Sequence, residues 1–163
     1  MPHCRIASVS AAFLLAGAAA AHADGGAIAV AAGQYGMRKE IPHSVGIEVE
    51  LRAPWRWTIA RPIAGLLATT GGAAYVYSGV AFEIPLGGSV QLTPAFAPGV
   101  VLADGDGDLG SAIEFRSSLE LSVALDPKVR MGLGFSHISN ARLGTRNPGV
   151  EVLTLRLAFP GID

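Results

Sequence analysis

From residue 44 onward the chain alternates. In SVGIEVELR, residues 44–52, Val45, Ile47, Val49 and Leu51 fall on one side and Gly46, Glu48, Glu50 and Arg52 on the other. That period of two predicts a strand. Residues 112–125, AIEFRSSLELSVAL, repeat it at length, with Ile113, Phe115, Leu119, Leu121, Val123 and Leu125 opposite Glu114, Arg116, Ser118, Glu120 and Ser122. The same reading along the chain predicts eight strands, at about 27–37, 44–53, 61–70, 74–85, 89–102, 111–125, 129–141 and 150–159. Turn signals separate them: Thr70-Gly71-Gly72, Pro85-Leu86-Gly87-Gly88, the run from Asp104 to Gly110, and Asp126-Pro127. No linker, second domain or internal repeat interrupts this rhythm.

Composition decides which solvent each face meets. The first 23 residues carry one early cation, Arg5, an apolar run from Ile6 to Ala21 and an Ala21-His22-Ala23 ending. This reads as a cleaved secretory signal peptide, and the one cysteine, Cys4, leaves with it. The remaining 140 residues, 24–163, suffice for one domain with 11 Lys and Arg against 13 Asp and Glu, a formal charge of −2. Nothing basic points to nucleic acid. The chain is apolar by composition, yet after the leader it has no run of about 18 apolar residues to form a membrane helix. A soluble lipocalin-like barrel would turn its oily face inward, whereas an outer-membrane barrel turns it to lipid and packs charge into the lumen. Glu48, Glu50, Arg52, Glu114, Arg116, Glu120 and Arg156 form a mixed-sign, mutually neutralising set suited to such a lumen. The predicted fold is therefore all-β, an eight-stranded antiparallel transmembrane β-barrel of the outer-membrane type. Trp55, Trp57, Tyr75 and Tyr77 lie near strand ends, where an aromatic belt is expected. An even strand number puts both termini in the periplasm and makes the segment at about 141–149 the last external loop.

Strands seven and eight break the pattern. From Val129 the odd positions run Val129, Met131, Leu133, Phe135, His137 and Ser139, so a histidine and a serine share the lipid face. In strand eight Glu151 shares it with Leu153, Leu155, Leu157 and Phe159. The two strands form a hairpin, and side chains facing each other across it come within about 4.5 to 8 Å. A serine beside a histidine held by a carboxylate is the arrangement for acyl transfer. Eight residues above Val129, at a tilt near 40°, His137 stands roughly 20 Å toward the exterior, at the level of outer-leaflet ester carbonyls. Polar groups on a lipid face cost stability that a function must justify.

The stretch resembles the outer-membrane lipid A 3-O-deacylases, the PagL family, whose hallmark is His-x-Ser-Asn-Ala followed by Asn-Pro-Gly-x-Glu. His137, Ser139, Asn140, Ala141, Asn147, Pro148, Gly149 and Glu151 supply eight identities over fifteen positions. The resemblance implies a barrel, often paired as a homodimer, that hydrolyses the 3-O-linked ester of lipid A in lipopolysaccharide and releases a 3-hydroxy fatty acid. It implies Ser139 as nucleophile, His137 as general base and then acid, and Glu151 as the group orienting His137. Asn147, with main-chain N–H groups of residues 140–149, is expected to serve the oxyanion. Asn140, Ala141, Pro148 and Gly149 are expected to support it or shape the loop. No metal or cofactor is implied. One departure is that Pro160-Gly161-Ile162-Asp163 follow Phe159, where the family's last strand closes on a terminal aromatic.

Arg142 and Arg146 lie in the same loop and are candidates for lipid A phosphates. Asp104-Gly105-Asp106-Gly107-Asp108 invites a calcium reading, but an EF-hand needs Gly sixth and Glu twelfth where Leu109 and Phe115 stand. A Gly-rich external hairpin loop is the simpler expectation. The rival from another class is a non-catalytic small outer-membrane barrel serving adhesion or membrane integrity.

Overall fold

Alternation becomes geometry once the strands pair. The structure, a computed structural model, describes residues 22–23, 25–37 and 41–162. Eight strands build the barrel: β1 (Gly26–Tyr35), β2 (Ser44–Arg52), β3 (Ala60–Thr69), β4 (Ala73–Phe82), β5 (Val90–Asp104), β6 (Ile113–Asp126), β7 (Val129–Ser139) and β8 (Val150–Ile162). Each pairs antiparallel with its sequence neighbours, and β8 pairs with β1 to close the sheet on itself, as the strand order records. Closure leaves no unpaired edge, the condition for a sheet to stand in lipid. Two short ladders lie outside this ring. Residues 22–23 pair with Trp55–Arg56, and Ile84–Gly87 extends the ladder along the start of β5. The signal peptide expected over residues 1–23 otherwise lies outside the described residues. Strand β8 runs through Pro160 to Ile162, which pairs with Gly26 across a bulge.

The two faces are opposite in character. On β2, Ile47 is 57% exposed and Glu48 is 1% exposed. Only an inside-out barrel, lipid outside and charge inside, makes that stable. The inward charges meet as a cluster. Glu48 accepts from Arg116 Nη2 at 2.9 Å and Arg156 Nη2 at 2.8 Å. Glu50 pairs with Arg52 Nε at 3.0 Å and Arg156 Nη1 at 3.1 Å, and Glu120 with Arg52 Nη2 at 2.5 Å. Three guanidinium groups thus face three carboxylates and the cluster is neutral. Glu114 is buried too but stands outside this cluster.

Tyr75 and Tyr77 do not join an aromatic belt. Both are buried in the lumen and stack with centroids 5.7 Å apart, because the odd positions of β4 face inward. The Tyr77 hydroxyl sits between Glu48 and Glu50 Oε2, with one proton to donate to either, and the ring lies under the Arg116 guanidinium at 4.8 Å. Its ring fits because β3 offers Gly65 there; a Cβ on Gly65 would stand 2.4 Å from the Tyr77 hydroxyl. Trp55 and Trp57 are half-buried in the turn between β2 and β3, edge to face at 4.8 Å.

Arg156 touches three carboxylates, with Glu120 Oε2 at 3.5 Å from its Nε. Arg156→Met leaves buried acid without its cation and should lower the unfolding free energy by about 3 to 5 kcal/mol, measured by urea unfolding of the vesicle-embedded barrel.

Candidate active site

The hairpin of β7 and β8 positions the site. Its register sets His137 directly opposite Glu151, and His137 Nδ1 lies 3.2 Å from Glu151 Oε1. A neutral imidazole in this contact donates from Nδ1 and leaves Nε2 as the acceptor. Ser139, the last residue of β7, lies one outward step beyond His137, opposite Phe115 on β6. Among the described residues no hydrogen bond joins Ser139 Oγ to His137, so the hydroxyl is available to a substrate-bound arrangement.

Glu151 departs from the expected exposure. Its parity is outward, yet it is 7% exposed, because the chain leaving β1 covers it. Gly36 N donates to the Glu151 carbonyl at 3.0 Å, and Met37, Phe135, His137 and Glu151 line one open cleft. A half-buried imidazole over a buried carboxylate is held more firmly than two groups free on a lipid face.

The loop from Asn140 to Gly149 is tied down at both ends. Asn140 is fully buried and donates through Nδ2 to the carbonyls of Leu109 and Arg146, at 2.9 and 2.7 Å. Its Oδ1 accepts from Arg142 N at 2.9 Å. That occupies its amide, so Asn140 shapes the loop and has no donor left for an oxyanion. Asn147 Oδ1 accepts from Asn140 N at 3.1 Å, which turns the exposed Asn147 with its Nδ2 unclaimed among the described residues. Ala141 and Arg142 hold φ of 51° and 67°, a left-handed conformation that non-glycine residues adopt at a cost. The Ala141 N–H makes no hydrogen bond among the described residues. Gly149, at φ 64°, is required on two grounds: a Cβ there would be strained and would stand 2.8 Å from His137 Cε1.

The Asp104–Gly110 segment acts as a buttress. Asp106 is buried and accepts from Thr69 Oγ1, Asp108 Oδ1 accepts from Gly110 N at 2.7 Å, and Leu109 is buried beneath Asn140. Among the described residues no three His, Cys, Asp or Glu side chains are grouped so as to hold a metal ion. Arg146 is exposed and 4.0 Å from Asp108, and Arg142 is exposed.

The family model for lipid A 3-O-deacylase (PagL) matches residues 43–160, most of the barrel and the β7–β8 hairpin as far as Pro160. The chain belongs to the PagL family. The curated lipid A deacylase PagL of Bordetella bronchiseptica (strain ATCC BAA-588 / NCTC 13252 / RB50) is 31% identical over 90 residues. That match covers 55% of this chain and 43% of the relative, so less than half the relative's length is matched. The crystal structure of the outer membrane enzyme PagL superposes with a TM-score of 0.65 at 18% identity, covering 82% of this chain and 99% of that one. Neisserial surface protein A superposes at 0.63 and 11% identity, covering 87% and 99%, and a de novo designed transmembrane β-barrel at 0.56 and 9%, covering 85% and 96%. These likenesses establish an outer-membrane type of barrel.

Ser117 was not singled out by the alternation alone. It lies on the outward face of β6, directly opposite His137. The signal for it is its parity with Phe115 and Leu119, one hydroxyl in an oily row.

Asn140→Ala removes three of the bonds that fix the loop. Hydrogen exchange should quicken at residues 141–147 while the amides of β7 and β8 below remain protected.

Proposed function

We propose that this protein is an outer-membrane esterase that hydrolyses the 3-O-linked acyl chain of lipid A, with Ser139, His137 and Glu151 as a catalytic triad on the barrel exterior. The observation that carries the proposal is the cross-strand pairing of His137 with Glu151, 3.2 Å apart, with Ser139 next on the same outward face. That face is set in lipid, so a substrate ester can reach it without leaving the membrane. Membership of the PagL family and the name of the Bordetella relative support the same substrate.

In the proposed reaction Ser139 Oγ attacks the ester carbonyl carbon and passes its proton to His137 Nε2. Glu151 stabilises the resulting imidazolium through Nδ1. Charge on the tetrahedral oxygen is met by Asn147 Nδ2 and the Ala141 N–H, neither of which has a partner among the described residues. Collapse breaks the bond to the sugar oxygen, which takes the proton from His137. Water, activated by the same histidine, then cleaves the acyl-serine and releases the 3-hydroxy fatty acid. Arg142 and Arg146, at the rim, are placed in this reading against lipid A phosphates. The proposal includes export with cleavage after Ala23 and, from the family resemblance, pairing into a homodimer.

Lipid A from outer membranes containing the protein should lose the mass of one 3-hydroxyacyl chain, read by mass spectrometry. Ser139→Ala and His137→Ala should abolish that loss with the barrel still folded, and Glu151→Gln should slow it about 10³- to 10⁴-fold. Unchanged lipid A in a membrane that offers the 3-O-acylated substrate would instead favour the non-catalytic barrel. Removal of one oxyanion donor by Asn147→Ala should cost about 10²- to 10³-fold in kcat, measured on purified protein with the same substrate.

A further inference from the structure

The outward row of β6 runs Phe115, Ser117, Leu119, Leu121, Val123 and Leu125, and Ser117 is its one polar side chain. It is exposed, and its hydroxyl has no hydrogen-bond partner among the described residues. A hydroxyl turned toward hydrocarbon without a partner is unfavourable. Register places Ser117 directly opposite His137 on β7 and opposite Phe96 on β5. Ser117, His137 and Glu151 therefore form one row across three strands. Ser139, opposite Phe115, is the diagonal neighbour of Ser117, a separation of about 7 to 8 Å between backbones that side chains can span.

The surroundings of Ser117 are bulky. Phe96 and Phe115 stack with centroids 6.0 Å apart and 12° between planes. Leu119 and Phe135, paired with each other, lie one step nearer the barrel middle. Ser117 is thus the low point among large side chains, beside the histidine and one diagonal from the nucleophile.

We propose that Ser117 determines specificity by hydrogen-bonding the 3-hydroxyl of the scissile acyl chain, and so selects 3-hydroxyacyl esters over unsubstituted ones. The inference rests on the deacylase reading above. With the ester carbonyl at Ser139 Oγ, the acyl chain must run down the oily face toward the membrane interior, away from the loop. Its hydroxylated carbon is two bonds from the carbonyl carbon, so the hydroxyl descends one step from Ser139, to the level of Ser117. A chain lacking that hydroxyl leaves Ser117 unpartnered in a dry site, which is the basis of discrimination.

The test uses the full chain folded in detergent micelles and two synthetic lipid A analogues that differ only in the 3-hydroxyl of the 3-O-acyl chain. The wild-type protein should favour the hydroxylated ester in kcat/KM. Ser117→Ala should lower that preference about five- to tenfold, chiefly by slowing the hydroxylated ester, and Ser117→Thr, which keeps the hydroxyl, should retain it. An unchanged preference in Ser117→Ala, or an equal loss on both esters from a folded barrel, overturns the inference, as does a wild-type protein that cleaves both equally well. Cleavage of neither ester by the wild type overturns the deacylase reading and this inference with it.

Discussion

Six charges in the lumen, Glu48, Glu50, Arg52, Arg116, Glu120 and Arg156, decide which way every other side chain in the barrel faces. Each is buried and paired, and removing one from the set would strand its partners in a dry interior. A strand slipped by one residue would turn these charges into lipid and bring leucines into the lumen. The register of the sheet is therefore specified by ion pairs as much as by backbone hydrogen bonds. The apolar exterior follows from it.

That constraint makes His137, Ser139 and Glu151 informative. They cannot be lumen groups that drifted outward, because the inward positions between them, Ser136, Ile138, Val150 and Val152, are already packed inside. Neisserial surface protein A and a designed barrel share the closed sheet at comparable TM-scores, so the sheet by itself assigns no chemistry. On that sheet the hairpin carries a loop locked by a buried asparagine and a glycine where the histidine ring needs the space.

The faces and the strands were legible because both depend on alternation within a single strand. Observed strands start and stop within about three residues of the predicted ones, and the expected lumen charges are all buried. Information that crosses strands was harder to read. Tyr75-Val76-Tyr77-Ser78 alternates on both faces with residues that suit either, and only closure against Glu48 and Glu50 turns the tyrosines inward. Asn140 sits in a motif that suggests chemistry, but its partners, Leu109 and Arg146, show a structural role, and the first of them lies in a loop 31 residues earlier. Ser117 is beside His137 only through the register of β6 with β7. The aspartates from 104 to 108 looked like ligands because they cluster in sequence; in space one is buried against Thr69 and another caps the turn at Gly110.

Rigidity and strain are divided between the two ends of this hairpin. Below His137 the strands are held by continuous pairing to β6 and β1, and the outward side chains need only be apolar. At Ser139 the pairing ends, and the next two residues but one carry left-handed backbone at Ala141 and Arg142. The proposed nucleophile, Ser139, therefore stands on the last residue whose position the sheet fixes, immediately before the backbone turns its N–H groups away from the ladder. A serine farther down would face an amide already bonded to the neighbouring strand, with nothing to offer an oxyanion. A serine farther up would stand on a loop without the register that brings His137 to Glu151. Under the proposed mechanism, the rim of the barrel is the level at which the His137–Glu151 pair, fixed by the register, and unpaired backbone donors can meet the same ester.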